Sequence, residues 1–150
     1  MSLATRRVAA FVWAGMLATP LFFAILAVGR PPRPEIQMPE FGRVFVWIAL
    51  AVAALAIVTS RALPRFVGPR GEAAPRGALA FARLLIAWAV LEGAALFPLV
   101  CYLITGDGLL FLATAAALFA HVSLFPTEGR WANLAAQPLP SGGGKGRMVR

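Results

Sequence analysis

Four stretches of the chain are apolar for long enough to cross a bilayer, and polar or proline-rich segments separate them. A transmembrane helix needs about 20 mostly apolar residues, because the hydrocarbon core is roughly 30 Å thick and each helical residue rises about 1.5 Å. Residues 8–29 carry no charge at all. Residues 44–60 are uncharged too, with Arg43 and Arg61 at their ends, where long basic side chains can snorkel to the headgroups. Residues 79–105 are apolar apart from Arg83 and Glu92, and residues 108–125 have His121 as their one ionisable group before Pro126. Backbone polar groups in the bilayer core must be satisfied within the segment, so each stretch predicts a helix: about 8–29, 43–62, 79–105 and 108–125.

The linkers agree. Residues 30–42 contain four prolines, and residues 61–76 contain Pro64, Pro69 and Pro75 with Gly68 and Gly71. Neither stretch can continue a helix. Between the third and fourth helices stands only Gly106-Asp107-Gly108, a tight turn that makes these two helices an antiparallel hairpin. The fold class is therefore all-α, an integral membrane four-helix bundle in residues 1–136. Residues 137–150, with three glycines, Lys145, Arg147 and Arg150, predict a disordered basic C-terminal tail.

Composition sharpens this picture. Of 150 residues, 60% are hydrophobic and 13% charged, against about 45–50% and about 25% in a typical soluble domain. That excludes an ordinary soluble domain, and the single cysteine, Cys101, excludes a disulfide scaffold. Ten of the fourteen Lys and Arg lie in the N-terminus, the 61–76 loop and the C-terminal segment, against three in the 30–43 region. Positive loops stay cytoplasmic, so both termini are expected inside. The net charge of +8 then reads as a topology signal and an attraction to anionic headgroups, not as nucleic-acid binding. Arg6-Arg7 before an apolar run resembles an export signal. The run is longer than the usual signal core and lacks a clean cleavage site, so a retained first helix is expected.

Candidate chemistry is sparse. Glu92 falls at the middle of the third helix, where a carboxylate costs about 2.5–3.5 kcal/mol, and such a residue is a candidate proton or cation site. The plainer role is polar glue between helices. Counted from the hairpin turn, Glu92 and His121 fall at the same depth, so His121 is the candidate partner with which Glu92 would share a proton; alternatively His121 snorkels to the headgroups. The same register sets Arg83 opposite Glu128 as a structural charge pair at the interface. Pro20 and Pro98 each remove a helical hydrogen bond and predict kinks, Pro98 freeing the carbonyl of Ala94. Trp13, Trp47 and Trp131 sit where interfacial belt residues sit. Small residues recur every four positions at Ala10/Ala14/Ala18, Ala49/Ala53, Ala89/Gly93 and Ala113/Ala117, a spacing that lets helices approach closely. Cys101 reads as an inert apolar residue. No Cys/His cluster, phosphate loop, nucleophile elbow or HExxH is present. No metal, cofactor or enzymatic activity is expected.

The run Ala-Val-Leu-Glu92-Gly-Ala-Ala-Leu resembles the carboxyl-bearing helix of the ATP synthase subunit c family. That resemblance implies a rotor-like proton or sodium site at Glu92. The family's glycine repeat and short Arg-Gln-Pro loop have no counterpart here, and about a fifth of the chain is covered. The second half as a whole, with Leu91-Glu92-Gly93-Ala94-Ala95-Leu96-Phe97 and Phe125-Pro126-Thr127, is similar to small bacterial four-helix membrane proteins of no assigned function. This implies the fold, with the Glu92 helix and the Phe-Pro-Thr exit in one structural unit; the bacterial inner membrane is the expected location. The expectation is a structural or accessory membrane component, partnered by anionic lipid and by a second copy or another membrane protein. The alternative is a proton-linked component that uses Glu92.

Overall fold

The computed structural model describes residues 3–29, 38–66 and 76–136, and every regular element in them is helical. Helix α1 covers Leu3–Gly29, α2 Gly42–Ala62, α3 Arg76–Thr105, α4 Leu110–Ser123 and α5 Glu128–Ala136. Short 3-10 turns, Pro39–Phe41 and Leu63–Phe66, flank α2. The tail expected to be disordered, 137–150, lies outside the described residues.

Helix α3 is the centre, packed against α1, α2, α4 and α5. Its seam with α2 and α4 is built mainly of alanine: Ala56 from α2, Leu91, Ala94 and Ala95 from α3, Ala117 and Ala120 from α4. Nearer the α3–α4 turn, Ala49, Ala53, Cys101, Leu110 and Ala113 continue it. Two of the four-residue spacings, Ala49/Ala53 and Ala113/Ala117, thus serve close packing. The others do not: Ala14 and Ala18 face outward, as do Ala89 and Gly93. Helix α1 meets α3 through its first half, where Ala9 packs with Ala80, Leu84 and Trp88. Both Pro20 and Pro98 are fully buried within continuous helices.

The turn after α3 takes its shape from three residues. Gly106 adopts φ 73°, a left-handed conformation natural to glycine, and its amide donates to the Tyr102 carbonyl at 2.8 Å, closing the helix end. The Thr105 hydroxyl donates to the Cys101 carbonyl (2.9 Å), and Asp107 Oδ1 accepts from the Leu109 amide (2.9 Å). The loop before α2 closes over this turn, with the Met38 amide donating to the Ile104 carbonyl at 2.9 Å.

The fourth helix departs from expectation. It ends at Ser123, two residues early, and a fifth helix follows after Pro126, bent by 81° from α4. Proline cannot donate to a continuing helix, while Thr127 starts a new one: its Oγ1 accepts from the Arg130 amide (3.3 Å) and its carbonyl from the Trp131 amide (3.0 Å). Helices α1, α2 and α3 are each long and apolar enough to cross a membrane. With 14 residues, α4 is about 21 Å long, short of a roughly 30 Å core, and qualifies only jointly with α5. The outer surface suits lipid: Phe11 is 83% exposed and Phe119 77%. The chain is a helical membrane protein.

Candidate functional site

Of the ionisable and indole side chains that the sequence singles out, Arg83, His121, Glu128, Trp13 and Trp131 converge on one end of the bundle, where α4 breaks and α5 turns away. The last carbonyls of a helix have no partner within it and need one from elsewhere. Here other helices supply the donors. Trp13 Nε1 from α1 donates to the His121 carbonyl (3.2 Å), and Trp88 Nε1 from α3 donates to the Leu124 carbonyl (3.1 Å). From α5, Arg130 Nη1 donates to the carbonyls of Ser123 and Phe125. Arg83 does the same for the end of α5, its Nη1 donating to the Leu134 carbonyl at 2.7 Å while the side chain is 0% exposed. The break is therefore held by three of the other helices. Trp131 is buried beside Trp88, and Trp13 is half-buried; of the tryptophans expected in an interfacial belt, Trp47 is the one that lies open.

The expected Arg83–Glu128 pair is replaced. Glu128 forms its ion pair with Arg6 of α1, and Arg83 turns to the α5 backbone. The reason is α5 itself: its bend carries Glu128 towards the start of α1 and brings the Leu134 carbonyl over Arg83.

The Glu92–His121 partnership is not formed either. Thr114 Oγ1 donates to the Ala95 carbonyl (3.3 Å), which fixes the α3–α4 register. Stepping three residues along each helix puts Ala117 level with Glu92, and His121 one turn further along, about 6 Å. Rotation separates them as well. His121 is buried and turns towards α1, its ring centroid 6.1 Å from that of Trp13, with neither ring nitrogen hydrogen-bonded among the described residues. Glu92 is half-buried at the outer margin of α3, beside exposed Ala89 and Gly93. Its carboxyl has no hydrogen bond or ion pair among the described residues.

Chemically, this constellation anchors helices. Among the described residues no three His, Cys, Asp or Glu gather as a metal site, and Cys101 is a buried free thiol. Compared with known protein families, characterised proteins and solved structures, the chain matches none. The likeness to subunit c stands on the Glu92 segment alone. Sequence reasoning missed Arg130 and Trp88 as caps. Thr127-Glu128 after Pro126, a capping residue with an acid in the first turn, is the signal that would have found α5.

Proposed function

We propose that the chain is an accessory component of a larger membrane assembly, without catalysis of its own, and that it meets its partner along the outer margin of α3. The placement of Glu92 carries this reading. A carboxyl at mid-membrane depth with no partner among the described residues is unfavourable by about 2.5–3.5 kcal/mol. A helix from a second copy or another membrane protein would relieve that by offering a donor. The neighbouring surface suits close approach, since Ala89 and Gly93 are exposed and nothing lies within 4 Å of where a Cβ on Gly93 would stand. The proton-linked reading draws on the same placement, because a carboxyl at the lipid margin can exchange protons without opening the bundle.

Labelling by a hydrophobic carbodiimide separates these. The accessory reading predicts that Glu92 reacts in the purified, reconstituted chain and is protected in native membranes, with Glu92→Gln folded and unlabelled in both. Equal labelling in the two settings removes the partner. Proton flux through reconstituted vesicles that stops in Glu92→Gln would transfer the assignment to proton-linked work.

A further inference from the structure

The outer margin of α3 carries a line of open positions at helical spacing, Leu85, Ala89, Gly93 and Val100, with Glu92 half-buried beside it. This margin lies away from Leu91, Ala94 and Ala95, which pack on α2 and α4. The Glu92 carboxyl has neither hydrogen bond nor ion pair among the described residues. Whatever meets the margin must therefore bring a polar group to the depth of Glu92. It must do so on a surface that comes as close as Gly93 allows, and nothing stands within 4 Å of where a Cβ on Gly93 would be. The open faces of α1 and α4 differ, since they present Phe11, Ile25 and Phe119, large apolar side chains that suit lipid.

Resting on the partner reading above, we propose that the occupant is a second copy of this chain, related by a two-fold axis along the bilayer normal, with the two Glu92 carboxyls hydrogen-bonded to one another. Copies inserted with the same topology hold Glu92 at one depth, and a two-fold interface joins a patch to itself. In its acid form a carboxyl has one O–H to donate and an oxygen to accept, so the pair satisfies itself reciprocally. No cation has to be carried into the bilayer core to meet it, where that charge would itself be costly. Ala89 and Gly93 let the two α3 backbones approach closely enough for the carboxyls to meet.

The test is carbodiimide labelling of the purified full chain, reconstituted over a range of protein-to-lipid ratios. Glu92 should react when the chain is dilute and lose its labelling as the chain is concentrated, because dimerisation follows mass action. The reactive state assigned above to the reconstituted chain is the dilute one. Oxidative cross-linking in a Cys101→Ala background reads the geometry. Ala89→Cys should form a disulfide-linked dimer, and Leu55→Cys, exposed at a similar depth on α2, should not. Adding Glu92→Gln supplies an amide that both donates and accepts, so the cross-link persists, whereas adding Glu92→Leu should abolish it. Circular dichroism checks that each variant is folded. Labelling that ignores chain density, in a chain still protected in native membranes, overturns the second copy and leaves a different protein as the partner. Equal labelling in dilute vesicles and native membranes removes the partner and this proposal together. A cross-link indifferent to Glu92→Leu overturns the carboxyl pair.

Discussion

His121 is 1% exposed, and neither Nδ1 nor Nε2 has a hydrogen-bond partner among the described residues. A buried polar group left unsatisfied costs about 1–3 kcal/mol, whereas an apolar group of similar shape has no such requirement. The imidazole contributes packing, against Trp13, and its backbone carbonyl takes the Trp13 indole proton. His121→Phe keeps the ring and the backbone bond, so thermal unfolding in detergent should occur at the same temperature or higher. A marked fall would show that the nitrogens are used. Glu92, His121 and Arg83 were all legible as unusual in the sequence, because an ionisable group in an apolar run stands out at once. Their partners were not. Which residues face one another depends on helix rotation, and a repeat of about 3.6 residues per turn leaves rotation open when every face is apolar.

Among the elements, α1 to α3 were nearly complete in the hydropathy pattern, since long apolar runs between arginines and prolines leave little freedom. Observed and expected bounds differ by a few residues at most ends, with α1 starting at Leu3 and α3 at Arg76. The fourth segment misled because its apolar run passes through Leu124 and Phe125, which lie beyond the last helical residue. Helix α5 is nine residues long and interrupted by Glu128, Arg130 and Asn133, so nothing in a search for spans would register it. What fastens α5 is local: Trp131 in the cluster with Trp88 and Leu84, and Arg83 on the Leu134 carbonyl. Replacing a buried Trp by Ala costs about 3–5 kcal/mol. Trp131→Ala should therefore release α5 selectively, with hydrogen exchange rising across 128–136 while α2 and α3 stay protected. Uniform loss of protection would show that α5 is part of the global fold.

For the whole molecule, contacts place the start of α1, the end of α2, the start of α3 and the α4–α5 bend at one end. The Met38–Ile104 bond and the close approach of Gly42 to Asp107 mark the other. Among the described residues the first end holds Arg6, Arg7, Arg61, Arg76, Arg83 and Arg130 with Glu128; the second holds Arg43 with Glu40 and Asp107. By the positive-inside rule the first end is predicted to face the cytoplasm. Cysteine labelling checks it, with Cys101→Ala as background. A membrane-impermeant thiol reagent applied to intact cells should modify Arg43→Cys and spare Arg61→Cys, and the reverse pattern would invert the topology. Charge asymmetry was readable from the sequence, while the gathering of Arg83 and Arg130 at the α4–α5 bend required α5 to be in place.

The capped break in α4 also sets an order of events during biogenesis. Its carbonyls are satisfied by Trp13, Trp88 and Arg130, which belong to the first, third and last helices. A nascent chain inserted through α4 has two of these donors and waits for the third until α5 has left the ribosome. Chains truncated at residue 127 would present an unfinished corner to membrane quality control and be degraded faster than the full chain.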